Sequence, residues 1–324
     1  MAEFGVSKVT AVHALADLES EGKVLREHGR GTFVTQPDPD RSARRRESVT
    51  LIVPEMKNPY HVEIVNVFER VLREQGVAVE LVCTEYSVEA ERSAYARARG
   101  QAHVSGVVLI STPLPHELGA GEQIRQPIVA IDYCPPDLAD RCVFVSCDNF
   151  RGGSEAAEHL VSLGHTRIGY LDRRYSSRER REGFRWALER RGLHLPEERV
   201  CTFEFGRPVT REVVDVVRRE KLTALFAVND MTAMQALQQL REAGYAVPGD
   251  VALMGYDDVP AARYLETPLT TVNQHEDLIG RRAADSLLDA MHCRTGPMRS
   301  REIVIVPQLV VRASTTPPGR AAGG

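Results

Sequence analysis

"ALFAVNDMTAMQALQQLREAGYAVPGDVALMGYDD" occupies residues 224–258 and carries the clearest structural pattern in the chain. ALFAVND is a short apolar run that turns polar at its end, which is the pattern of a buried strand. MTAMQALQQLREAG reads as a helix, and VALMGYDD as the next strand. Strand, helix, strand in that order makes a right-handed βαβ unit with parallel strands. In open α/β sheets the ligand sits beyond the carboxyl ends of the strands. The polar residues that end these two, Asn229 and Asp257, are therefore candidate binding groups.

The same alternation extends outward in both directions, from Ser48 to about Ser314. SVTLIVP reads as a strand, and PYHVEIVNVFERVLREQG as a helix closed by Gly76. VAVELVC, GVVLIS, PIVAID and VFVSCD read as further strands, as does RIGYLD. SEAAEHLVSLG and REVVDVVRREK read as helices among them. That is enough repetition for two parallel sheets with helices on both faces, hence an α/β chain of two lobes. Ser111 and Asp132 join Asn229 and Asp257 as strand-ending polar residues.

Composition bounds the function. The chain has 324 residues, 43% hydrophobic and 27% charged, which suits a globular protein of two or three domains. A formal net charge of -4 argues against indiscriminate binding to polyanions, so any nucleic-acid contact must come from locally placed bases. No apolar run approaches the ~20 residues that span a bilayer, so no membrane partner is expected. MAEFGVSKVT lacks an apolar secretion core, and the expected location is cytoplasmic. The six cysteines include no C-x-x-C pair and read as small core residues. The ten histidines show no metal spacing. No metal or other cofactor is expected. No Ser/His/Asp order or phosphate loop appears, so an enzyme is not expected.

The head of the chain differs from its body. In GVSKVTAVHALADLESEG the residues Val9, Val12, Leu15 and Leu18 share one helix face, with Ser7 as N-cap and Gly22 as the closing residue. Two β-prone runs, Val24-Leu25 and Thr32-Phe33-Val34, then flank the turn-prone His28-Gly29-Arg30-Gly31. Helix and basic hairpin in that order are the recognition helix and wing of a winged helix-turn-helix. QPDPDRSARRRE, residues 36–47, reads as a linker, and 317–324 as a disordered tail.

"VSKVTAVHALADLESEGKVLREHGRGTFV" resembles the second half of a GntR-family DNA-binding domain, whose pattern is V-S-R-x-T-V-R-x-A-L, then L-x-x-E-G, then a G-x-G-T-F-V wing. The resemblance implies that Ser7, Lys8, Thr10 and His13 face DNA from the helix, with Arg26, His28, Arg30 and Thr32 in the wing. Val12 stands where the family has arginine or another polar residue, which removes one expected contact. The family's first helix and most of its second would precede Phe4. Either Met1 lies inside a longer natural reading frame, or the domain has decayed; the well-kept wing favours the former.

The body resembles the effector-binding and dimerisation region of LacI/GalR-family repressors, a relative of periplasmic sugar-binding proteins. "VTLIVPEMKNPYHVEIV", "GVVLIS", "PIVAID", "VSCDNFRGGSEAAEHLVSLGHTRIGYL", "RERREGFRWAL", the opening stretch, "PLTTVNQ" and "LVVRAS" stand in family order. A GntR-type reader on a LacI-type sensor is the arrangement of arabinose-repressor-like regulators. The resemblance implies a periplasmic-binding-protein-like (type I) domain over 48–316. Lobe 1 would take about 48–148 and 275–302, and lobe 2 about 149–272 and 303–314, behind a partial winged helix at 1–35.

A sugar offers hydroxyls that donate and accept, plus apolar C–H faces. Its site needs carboxylates, amides, a forked guanidinium and an aromatic platform. By the resemblance Asp257, Asn229 and Arg180 bind effector from lobe 2, with Arg178 as a second arginine. Tyr60 and Asp132 contribute from lobe 1, Phe205 or Phe203 stacks, and Gln274 lies at a crossover between lobes. For Asp230 and Asp258 the alternative is capping the helix that follows. Gly164-His165 reads as a helix terminus, and Ser111 and Trp186 as structural. The expected function is a ligand-responsive transcriptional regulator, a repressor. Its expected partners are operator DNA, a homodimer partner and a monosaccharide. The alternative is a sugar-binding receptor without DNA binding, its head being truncated.

Overall fold

The computed structural model describes residues 24–27, 31–34, 47–112, 114, 116–119, 126–174, 177–292 and 300–315. The chain divides into two units, 1–47 and 48–324. In the first, strands β1 (Val24–Glu27) and β2 (Gly31–Val34) pair antiparallel, Val24 opposite Val34 and Glu27 opposite Gly31, which is the expected hairpin. Ser7, Lys8, Thr10, His13, His28 and Arg30 lie outside the described residues, as do 36–46 and the tail 317–324.

The second unit holds two parallel sheets. The larger contains β3 (Ser48–Val53), β4 (Ala78–Cys83), β5 (Val104–Ile110), β6 (Ile128–Ile131), β7 (Val143–Cys147) and β13 (Arg301–Ile305). Its order is β13-β7-β6-β5-β3-β4, with every neighbouring pair parallel. The smaller contains β8 (Ile168–Arg173), β9 (Val200–Phe203), β10 (Ala224–Ala227) and β11 (Ala252–Met254) in the order β11-β10-β8-β9, again all parallel. β12 (Thr271–Asn273) and β14 (Gln308–Val310) form an antiparallel pair. β13 carries 303–305 in the first sheet, where those residues were expected in lobe 2. The return to the second lobe therefore comes after Ile305.

Helices cover both faces of each sheet, because inward residues alternate along each strand. Val49, Leu51 and Val53 of β3 pack with Ile64, Phe68 and Leu72 of α1 (Pro59–Glu74). Ile279, Ala283 and Leu287 of α7 (Glu276–His292) join the same layer. The next residue in register, Ile52, faces the opposite layer with Tyr95 and Ala98 of α2 (Val88–Gly100). In the second lobe Tyr170, Phe184, Phe226 and Tyr256 form one aromatic layer under α3 (Asn149–Ser162) and α4 (Arg178–Arg190). α5 (Glu212–Glu220) and α6 (Asp230–Glu242) close the other face.

Two glycines let α3 and α4 approach closely. A Cβ on Gly153 would lie 2.0 Å from the Arg180 carbonyl oxygen, and one on Gly183 1.9 Å from that of Phe150. Gly164, at φ +88°, ends α3, and His165 N donates to Leu160 O at 3.2 Å. That is the terminus expected of Gly164-His165. Trp186, read as structural, packs against Phe150 and Arg190 on α4 but stays half-exposed, where a helix aromatic usually packs inside. Among the described residues the cysteines divide, Cys293 lying outside them. Cys142, Cys147 and Cys201 are buried as expected, but Cys83 is exposed on the edge strand and Cys134 is only partly covered.

Candidate functional site

The carboxyl ends of both sheets border a cavity of about 890 Å³. Four helices begin at its wall, and their N-caps line it. Asn58 accepts from Tyr60 N at the start of α1, and Asp148 from Arg151 N at the start of α3. Ser177 does the same for Arg180 N at α4, and Asn229 for Thr232 N at α6. Converging helix N-termini bring partial positive charge and orient polar groups toward one space. Two of the acids here sit on left-handed backbone, Asp132 at φ 63° and Asp257 at φ 120°. Only a tightly held surrounding structure keeps non-glycine residues there.

All eight residues singled out from sequence line this cavity: Tyr60, Asp132, Arg178, Arg180, Phe205, Asn229, Asp257 and Gln274. From the first lobe, Tyr60 Oη donates to Asp132 Oδ1 at 2.9 Å. Burial raises the Asp132 carboxyl to a pKa of about 6, against the opposing pull of the Tyr60 hydroxyl and of Arg180. From the second lobe, the buried Arg180 guanidinium lies 3.5 Å over the Tyr256 ring. Its Nε and Nη2 donate to Asn149 Oδ1 at 3.1 and 2.7 Å, and its Nη1 donates to Val228 O. Burial works against the Arg180 charge, but Tyr256 and Asp257 beside it more than offset that, and its pKa is raised. Tyr256 and Val228 adjoin Asp257 and Asn229, so the arginine, the acid and the amide gather at one place. Gln274 Nε2 donates to Asp257 Oδ1 at 2.7 Å from the crossover between β12 and α7. Burial pushes the Asp257 carboxyl well above the usual range, and Arg180 only partly counters it.

Phe205, rather than the alternative Phe203, lines the cavity, stacked on Tyr86 with ring centroids 4.9 Å apart. Phe203 is buried in the second-lobe core, with Arg173 over its ring. Arg178 is exposed and pairs with Glu182 at 2.7 Å, one helical turn on. Asp230 is not a cap. It is fully buried, accepting from Thr271 Oγ1 at 2.6 Å and Val259 N at 2.9 Å, and it is Asn229 that caps α6. Asp258 likewise caps no helix: it pairs with Arg312 and accepts from Asn273 Nδ2 at 3.1 Å. Ser111 lines the cavity, yet its hydroxyl donates to the buried Glu91, a structural use as expected.

Asn149, Arg173, Tyr86 and His61 also line the cavity and were not singled out. Arg173 ends β8, so the strand-end rule extended to RIGYLDR would have found it. Its Nε donates to Thr232 Oγ1 at 3.0 Å, its Nη2 to Gln235 Oε1 at 3.0 Å and its Nη1 to Glu204 O at 2.9 Å. It thereby anchors the loop that bears Phe205. Asn149 is the residue just after a cap, where nothing in the local pattern separates a ligand from a helix start. Burial lowers the His61 pKa to about 4, leaving the ring neutral. Among the described residues no group of three or more His, Cys, Asp or Glu is arranged to hold a metal ion, and no helix is long and apolar enough to cross a membrane.

Comparison with known proteins agrees with this architecture. Residues 157–315 match the family model of the periplasmic binding protein-like domain, and residues 1–34 that of the gntR family of bacterial regulatory proteins. The HTH-type transcriptional regulator DegA of Bacillus subtilis is 32% identical over 285 residues, covering 85% of this chain and 83% of DegA. The solved structure of a LacI-family transcriptional regulator from Sanguibacter keddieii superposes with a TM-score of 0.69 at 29% identity, covering 83% of this chain and 98% of that one. The transcriptional regulator CelR, solved as its cellobiose complex, gives a TM-score of 0.71 at 27% identity, covering 96% of this chain and 92% of CelR.

Proposed function

The chain belongs to the LacI family of transcriptional regulators, and on that footing we propose that a small sugar in the cavity controls its grip on operator DNA. The observation that carries this reading is the convergence of Asp132 and Tyr60 from one lobe with Asp257, Asn229 and Arg180 from the other. Two carboxylates, an amide and a forked guanidinium match the donor and acceptor pattern of vicinal hydroxyls. The Tyr86–Phe205 pair supplies an aromatic face for the C–H side of a ring. CelR, a relative of the same fold, binds cellobiose, which supports a carbohydrate as the chemical class.

A ligand contacting both lobes completes its bonds only when they close, so it favours the closed state. A swing from 1:99 to 99:1 takes a preference of ~5.5 kcal/mol, within reach of several charge-assisted hydrogen bonds. The protein acts in the cytoplasm as a homodimer, and closure changes the spacing of two DNA heads on a two-fold site. The head contacts DNA through Ser7, Lys8, Thr10, His13, Arg26, His28, Arg30 and Thr32, with the wing hairpin on the backbone or minor groove. The test is a gel-shift titration of the protein on DNA upstream of its own gene, with and without a sugar panel. A shift that one sugar alters at least tenfold supports the reading; no shift on any upstream fragment contradicts it.

A further inference from the structure

Cys134 and Cys142 flank the segment 135–141 between β6 and β7, and their Sγ atoms lie 3.3 Å apart. Both are free thiols. The connection between them folds back through the short turn Pro136–Leu138, where Leu138 N donates to Pro135 O and Arg141 N to Leu138 O, and this backbone-bonded turn returns Cys142 to Cys134. Cys142 is fully buried against the α2 layer, whereas Cys134 is partly exposed and lines the cavity. One sulfur is therefore reachable from solvent through the cavity, and the other stands directly behind it.

We propose that Cys134 and Cys142 form a peroxide-responsive pair, in which Cys134 is oxidised first and Cys142 resolves it to an intramolecular disulfide. The Cys134 thiolate attacks a hydroperoxide oxygen, the O–O bond breaks, and sulfenic acid forms with release of water or an alcohol. The Cys142 sulfur then attacks the sulfenic sulfur, the S–O bond breaks, and a second water leaves. Two thiols and one hydroperoxide give one disulfide, with the peroxide reduced by two electrons. Hydrogen bonding between the sulfurs lowers the Cys134 pKa, which favours the exposed thiol as the attacking one. The move from contact to bond is short, since a disulfide needs ~2.05 Å between sulfurs. Cys147 is less suited to the role: it is buried against the Tyr256 hydroxyl at 3.8 Å. Cys83 is exposed, and its Sγ contacts Pro54 and Glu85 rather than another sulfur.

The test treats the full chain, carrying Cys83→Ser to silence the exposed thiol, with hydrogen peroxide, followed by alkylation and non-reducing tryptic mass spectrometry. The expected product is the peptide ending at Arg141 joined to the peptide starting at Cys142, about 2 Da lighter than the two reduced peptides together. Fragmentation should place the link on Cys142, and dithiothreitol should reverse it. The band should remain at monomer mass on a denaturing gel. In Cys142→Ser the link should vanish and dimedone should trap a sulfenic acid on Cys134. In Cys134→Ser, Cys142 should stay reduced. A chain that retains both thiols at a peroxide dose that fully modifies Cys83 in the unsubstituted protein would overturn the proposal. So would a link made by Cys147, or only between chains. None of these readouts requires a bound sugar, so failure here leaves the effector reading untouched.

Discussion

Asn149 Oδ1 accepts from both Nε and Nη2 of Arg180, at 3.1 and 2.7 Å. Asn149 opens α3 just after the chain leaves the first sheet, so the crossover between lobes itself orients the cavity's guanidinium. Asn149→Ala leaves Arg180 charged and buried, held only by Val228 O and the Tyr256 ring. Each hydrogen bond lost to a charged group costs roughly 1.5–3 kcal/mol. Effector affinity should fall about tenfold or more by calorimetry, with the far-ultraviolet circular dichroism unchanged.

Asp257→Asn should divide stability from function. Burial holds the Asp257 carboxyl well above its ordinary range, so ionising it near neutral pH costs the folded state free energy. The amide keeps an oxygen for Gln274 to donate to. The ligand-free variant should melt a few degrees higher, roughly the shift expected for one kcal/mol or less in a domain of this size. Its sugar affinity should fall at least tenfold. A lower melting temperature with unchanged affinity would contradict both halves.

Besides Asp257, four buried groups shape how stability varies with pH. Asp132 is raised from 3.8 to about 6, Asp230 from 3.8 to about 7 and Glu276 from 4.5 to about 8, each chiefly by burial. Between the unfolded and folded values the folded chain holds protons that the unfolded chain has lost, so these acids make stability fall as pH rises. His61, lowered from 6.5 to about 4, works the other way: the unfolded chain holds the extra proton, and stability rises with pH. Urea titrations at pH 5 and pH 7 should therefore show a shallower decline, or a reversal, in Asp132→Asn relative to the parent. The same slope in both would count against a raised Asp132.

Gly183→Ala tests how helix packing places the arginine. The added methyl would meet the Phe150 carbonyl at 1.9 Å, which forces α3 and α4 apart. Overpacking of this kind costs roughly 1–3 kcal/mol, read as a lower urea midpoint at unchanged m-value. Because the same helices carry Asn149 and Arg180, affinity should fall with it.

The legible part of this protein was the part dictated by period and punctuation. Strand runs such as ALFA and IVAI, and helices closed at Gly76 or Gly164, follow from apolar spacing and left-handed glycines. Strand-end polarity then located Asp132, Asn229 and Asp257. Three-dimensional pairings left weaker traces. Asn149 and Arg180 are far apart in sequence and meet only because two glycines let their helices close. Arg173 follows from the strand-end rule only when β8 is carried one residue past Asp172, and its anchoring of the Phe205 loop emerges only in the fold. Asp230 and Asn229 both offer cap chemistry, and burial assigned the cap to Asn229 and the core to Asp230. The exposure of Trp186 also could not be read from helix spacing, which does not fix how far a flanking face is covered.

The most direct measurement is isothermal titration calorimetry of the full chain against a panel of mono- and disaccharides, repeated for the winning sugar with Arg180→Ala. Saturable one-site binding by at least one sugar is expected, with the heat lost in the variant while its fold is retained. Absence of binding across the panel, or undiminished affinity without the Arg180 guanidinium, would contradict it.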